Sequence, residues 1–176
     1  MVFVEKLSFD RPFLLELGAG KNPKEGYTHQ DIRDNLPHIE IVCPAEYIYK
    51  YIETPIDSLR ACHILEHFSY LDTIKILEMW FNCMAPGGEI HIEVPHLNYF
   101  TKAHTLGELT DEEVVNYLYG DQDYDYNFHM AAFSVPLLRK RLQEAGFEDV
   151  VVQDIGMVLI GNGYKPELAE IGEEEF

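Results

Sequence analysis

Apolar positions fall in short blocks that switch between a two-residue and a helical period. Residues 13–17 form an apolar run broken only by Glu16, and they end at Gly18-Ala19-Gly20, so they predict a buried strand running into a glycine turn. Strands are also predicted at 27–32, at 39–43 before Pro44, at 59–65, at 90–94 before Pro95, from Val150 onward, and at 157–160. Helical spacing separates them. Leu71, Ile74, Leu77 and Phe81 predict a helix over 71–84, stopped by a turn at Pro86-Gly87-Gly88. Further helices are predicted at 45–52, at 111–119 behind Thr110, and at 135–145 before Gly146. Residues 96–133 are less regular and include an Asp/Tyr-rich loop at 120–127. This alternation predicts an α/β fold with a mainly parallel sheet flanked by helices.

One spacing breaks the pattern. Six residues separate Gly20 from Tyr27, whereas a parallel crossover needs about a dozen. Either the first crossover is a bare loop or single turn, in which Pro23 suits a first helical position, or the second strand is irregular.

Composition narrows the function. The 176 residues predict a single domain over 1–176, with 96–133 as a substrate-side insertion and 166–176 as a frayed acidic tail. Acids outnumber bases 31 to 13, for a formal net charge of −18. That field disfavours nucleic acid and favours cationic small molecules. The one basic cluster, Arg139-Lys140-Arg141, fits a solvated helix face. No apolar run approaches the length of about 18 residues that a membrane span needs. The start lacks a secretory pattern. The three cysteines share no C-x-x-C spacing, so a reducing cytoplasm is expected.

Two motifs suggest metals. Asp121-Gln122-Asp123-Tyr124-Asp125 opens like a calcium loop, but Tyr126 and Ala132 stand where that loop needs Gly and Glu. His63-Ile64-Leu65-Glu66-His67 spells H-x-x-E-H, a zinc pattern that requires both histidines on one helical face and a third ligand. Here the apolar run at 59–65 predicts a strand end and a turn instead, so no metal ligand is assigned.

Taken together, Leu15 through Pro23, Gly26 through Ile32, His63 through His67, Met84 through Ile92 and Leu138 through Phe147 resemble the small class I S-adenosylmethionine-dependent methyltransferases with a Rossmann-like sheet. The resemblance spans residues 13–155 and implies adenosylmethionine as cofactor and adenosylhomocysteine as product. Gly18 and Gly20 leave no Cβ to block a ligand, and Glu16 is placed to hydrogen-bond the cofactor's ammonium group. Pro23 stands where a dinucleotide fingerprint has its third glycine, which argues against a pyrophosphate ligand. The resemblance gives Asp31 the ribose hydroxyls, with Asp34 as a competitor. Pro44 occupies the position where relatives often carry an adenine-binding acid, leaving Glu46, backbone groups or packing to hold adenine. His63 is expected at the methionine end.

His96, Asn98 and Tyr99 follow a strand's carboxyl end and are substrate-side candidates. His129 is the candidate general base, because the family often carries a histidine near the acceptor. The expected reaction is methyl transfer to an O or N nucleophile of a small molecule, and the eleven tyrosines hint at an aromatic pocket. Two rival readings use the same residues: a cofactor-binding regulatory protein without turnover, and a zinc hydrolase built on the H-x-x-E-H motif. The acceptor and the oligomeric state are not legible in the sequence.

Overall fold

In the computed structural model, which describes residues 5–167, seven strands form one sheet. They are β1 (Leu14–Leu17), β2 (Thr28–Asp31), β3 (Ile41–Val42), β4 (Ile56–Cys62), β5 (Met84–Pro95), β6 (Glu148–Asp154) and β7 (Val158–Tyr164). Their order is β3-β2-β1-β4-β5-β7-β6, parallel throughout except for β7, which is antiparallel to both neighbours. The chain winds outward from β1 through β2 and β3, then returns to lay β4 on the other side of β1. That reversal opens a crevice at the carboxyl ends of the central strands, where α/β sheets bind ligands.

The helices are α1 (Thr73–Cys83), α2 (Leu97–Thr105), α3 (Asp111–Tyr119) and α4 (Val135–Glu144). Thr110 and Glu113 form a reciprocal capping box that starts α3, and the Ser134 hydroxyl caps α4. The predicted helix at 45–52 is a 3-10 turn over Ala45–Lys50, and α2 lies in a stretch where no helix was predicted.

The first crossover carries no helix: residues 18–27 are turn and loop, the first of the two alternatives that the short spacing left open. Two boundaries depart from expectation. β4 ends at Cys62 rather than 65, because His63 takes a positive φ of 55°. Pro86-Gly87-Gly88 does not form a separate turn; it lies within β5, at a register shift against β4. A Cβ on Gly88 would come within 2.8 Å of the Ala85 carbonyl and 2.9 Å of that of Ile56, so only glycine lets the backbones approach there.

Alternation along the strands produces two unlike faces. Leu15, Leu17, Leu59, Ala61, Ile90, Ile92 and Leu159 are buried in the core with Leu77, Trp80, Leu138 and Leu142 of α1 and α4. On the opposite face, His29, Glu16, Arg60, His91 and Asn162 stand in register across β2, β1, β4, β5 and β7. Arg60 bridges Glu16 and Glu93 at 3.0 Å each. Parallel sheets are normally covered on both sides. With no helix in the first crossover, an ionic row occupies this face where apolar packing would otherwise sit.

Among the described residues no helix is long and apolar enough to cross a membrane. The expected acidic tail falls, from residue 168 onward, outside the described residues.

Candidate functional site

The crevice at the strand ends is a cavity of about 420 Å³. The ends of four successive strands contribute to it: Gly18 after β1, Asp31 and Arg33 at β2, Glu46 after β3, and Cys62 and His63 at β4. Tyr124, Tyr126, Phe128 and Met130, from the loop that follows α3, close the outer wall. The aromatic lining suggested by composition is therefore present, and it comes from the Asp/Tyr-rich segment.

Asp31 is 3% exposed, and its carboxylate is fully engaged. The Arg33 backbone N–H and Nε donate to Oδ1 at 2.9 Å each; Arg33 Nη2 and the Gly20 N–H donate to Oδ2 at 2.9 and 3.0 Å. Burial alone would raise the pKa of Asp31, but these donors outweigh it and hold the carboxyl below its ordinary value. The Arg33 guanidinium also lies over the Tyr124 ring, 5.6 Å from its centroid, and so links the β2 end to the outer loop. Asp34 is exposed and does not line the cavity.

Gly18 has φ +60°, and a Cβ there would lie 1.8 Å from Ile64 Cδ1. The bare glycine thus admits the Ile64 side chain as well as opening the strand end. Gly20 borders the site through its N–H on Asp31 and its carbonyl on His38 Nε2 at 2.7 Å. Glu16 does not line the cavity. Its carboxylate belongs to the ionic face, accepting from Arg60 Nε at 3.0 Å and from the Lys24 backbone N–H at 2.7 Å. Glu46 and His63 line the cavity.

The substrate-side candidates lie elsewhere. His96 is buried at the start of α2, its N–H bonded to the Met157 carbonyl at 2.9 Å and its Nδ1 3.2 Å from that of Gly156. Asn98 is exposed and Tyr99 packs edge-on against Phe100; none of the three lines the cavity.

The H-x-x-E-H segment is not helical as a unit. After the left-handed His63 it makes a single 3-10 turn, Leu65–His67. His63 Nδ1 pairs with Glu66 Oε1 at 3.2 Å, and that bond raises the His63 pKa against the effect of burial. His67 lines the cavity and meets His129 edge to face, with ring centroids 4.9 Å apart. His129 lies outside the lining, and burial lowers its pKa.

Arg33, His67 and the aromatic loop residues are cavity groups that the sequence reading did not assign. Arg33 stands two residues after Asp31, which is a usable signal. The pairing of His67 with His129 is non-local and carries none.

No family model matches this chain, and no curated protein matches it in sequence. Solved structures do match its fold. A methyltransferase from Thermotoga maritima described as a possible histamine N-methyltransferase superposes with a TM-score of 0.61 at 14% identity, covering 89% of this chain and 84% of its own. The plantazolicin methyltransferase BamL, solved with a triazolic desmethylPZN analog and adenosylhomocysteine, gives 0.62 at 13% identity over 88% and 77%. Human N-acetylserotonin methyltransferase, solved with adenosylmethionine, gives 0.59 at 14% identity over 88% of this chain but 48% of its own. The chain spans about half the length of that protein and of an O-methyltransferase family protein from Burkholderia thailandensis (51%). The fold is that of the class I adenosylmethionine-dependent methyltransferases, with the first crossover shortened.

Proposed function

We propose that the protein is an adenosylmethionine-dependent methyltransferase acting on an O or N nucleophile of a small molecule. The observation that carries this reading is the convergence of four successive strand ends on one cavity at the switch point between β1 and β4. Its volume suits a nucleoside-sized ligand. When bound, adenosylmethionine supplies an electrophilic methyl group on a sulfonium, which leaves as a neutral thioether.

This chain's residues supply position and field. Asp31 is assigned the ribose hydroxyls; all four of its acceptor positions are engaged by Arg33 and Gly20, so Arg33 must give up a bond for a hydroxyl to donate there. Glu46 and His63 both line the wall; Glu46, after β3, is assigned to adenine and His63 to the methionine end. Asp31, Glu46 and Asp125 give the cavity an acidic rim that attracts a cationic cofactor. Ile64, Phe128 and Met130 exclude water from the acceptor, which with in-line alignment is what an already activated methyl donor needs. Activation of the acceptor is assigned to the paired His67 and His129. Three free cysteines fit a reducing compartment such as the cytoplasm.

The test is incubation with methyl-labelled adenosylmethionine and pooled small metabolites, read by mass spectrometry. Label transfer to an acceptor, with equimolar adenosylhomocysteine, is the expected result. Cofactor binding with no acceptor labelled in any pool would instead favour a regulatory protein.

A further inference from the structure

At the cavity wall formed by His67, the side chains of Glu66, His67 and His129 each present a potential ligand atom, and these atoms lie within 4.8 Å of one another. Glu66 is fully buried, and its Oε2 has no hydrogen-bond partner among the described residues. A buried carboxylate oxygen left unpaired is costly, which marks a missing cation or donor. The two rings are oriented for that role. His67 Nδ1 lies 3.0 Å from the Phe128 carbonyl, and His129 Nδ1 lies 3.1 Å from that of Tyr117. A carbonyl only accepts, so in the neutral ring each Nδ1 carries the proton and each Nε2 keeps a lone pair. Backbone carbonyls orient metal-ligating histidines in this way.

The two chain segments are also held in register. The Met130 and Ala131 N–H groups donate to the Glu66 carbonyl at 2.7 and 3.1 Å, and the His129 N–H donates to that of Tyr119 at 3.0 Å. Cys62, His91 and Glu93 form a similar trio, but there both His91 nitrogens are engaged, by Asn162 and Glu93, and Arg60 already pairs with Glu93.

We propose that Glu66 and the Nε2 atoms of His67 and His129 bind one first-row divalent transition-metal ion. Two imidazoles and one carboxylate favour Zn²⁺, Co²⁺ or Mn²⁺ over Mg²⁺ and Ca²⁺, which prefer all-oxygen sites. Three protein ligands leave a coordination position for water or substrate. His67 lines the cavity, so the ion borders it. The ion's role rests on the methyltransferase reading: an acceptor hydroxyl ligated to the ion releases its proton to solvent more readily, and its oxygen is then the nucleophile. The binding site itself does not depend on that reading.

The test uses the full chain without an affinity tag, stripped with chelator and titrated with Zn²⁺ by calorimetry and with Co²⁺ by visible absorption. One ion per chain is expected, with Zn²⁺ bound far more tightly than Mg²⁺. Glu66→Gln and His129→Ala should each weaken Zn²⁺ binding at least about 100-fold, the upper end of what losing a supporting group costs. His104→Ala, which alters an exposed histidine paired with Asp111, should leave it unchanged. If the site variants fail to fold, the wild-type Co²⁺ spectrum decides: intense d–d bands of a low-coordinate site support the proposal, and a hexaaqua-like spectrum overturns it. Absence of one-to-one binding, or unchanged affinity in folded His129→Ala, also overturns it. Adenosylmethionine is titrated in parallel into metal-free protein. Cofactor binding together with failure of the Zn²⁺ and Co²⁺ titrations removes this site and leaves the proposed function; ion binding with no cofactor binding does the reverse.

Discussion

Replacing Arg60 with Met breaks the ionic row at its centre. Glu16 is 5% exposed and would keep only the Lys24 N–H at 2.7 Å and the more distant His29, 3.8 Å away. Stranding a buried carboxylate costs about 3–5 kcal/mol. The Arg60 side chain is 23% exposed, so water screens part of the lost attraction, and about 2–3 kcal/mol is expected. For a chain of this length that lowers Tm by roughly 5–10 °C. Adding Glu16→Leu removes the stranded charge and should return stability to within about 1 kcal/mol of wild type, since buried pairs often exchange for apolar groups at little cost. Thermal unfolding by circular dichroism of the two single variants and the double variant reads the cycle. A loss below about 0.5 kcal/mol in Arg60→Met, or no recovery in the double variant, would refute the claim that this face is held by mutual charge pairing.

Two other perturbations probe the same frame. Burial would raise the Glu93 pKa, but hydrogen bonds from His91 and Cys62 and the charge of Arg60 bring it to about 2, against an ordinary 4.5. Because the folded value is depressed, Glu93 stabilises fully above the unfolded pKa, and that contribution is lost as pH falls from about 4.5 through about 2. Glu93→Gln should therefore show a flatter fall of urea midpoint over that window than wild type; parallel curves would refute the assignment. Gly18→Ala places a Cβ 1.8 Å from Ile64 Cδ1 at φ +60°, so it should lose the left-handed cost of about 1–2 kcal/mol plus the clash. Ile64→Ala in the same chain should relieve only the clash, and full rescue would show that the backbone conformation is not the constraint.

Much of the frame was legible because local rules agreed with the final packing. The 13–20 segment combines an apolar strand with a glycine turn, and residues 110–119 carry a complete capping box, so both were placed to within a residue or two. The bare first crossover was one of the two outcomes that chain length allowed. Errors arose where the apolar pattern and the backbone part company. Ile64 and Leu65 extend the apolar run of β4, yet His63 has already turned the chain. α2 has no capping side chain at His96, and only Phe100 and Ala103 of its nine residues are buried, which left too little periodicity to read.

The site was legible in proportion to how local it is. Asp31, Glu46 and His63 come from strand ends and line the cavity. Glu16 lies on the ionic face instead, in a direction that depends on the register setting it beside Arg60, a residue on another strand. His129 was singled out, but its contact with His67 spans sixty-two positions, and no short-range pattern encodes it.

The central claim is that the four-strand cavity binds adenosylmethionine. Isothermal calorimetry of the full chain with adenosylmethionine, adenosylhomocysteine and NADH tests it most directly. The account predicts one-to-one binding of the first two in mutual competition and none of NADH, since the turn after β1 has Pro23 in place of a third glycine. No measurable heat or competition with either adenosyl compound, or preferential binding of NADH, would contradict it.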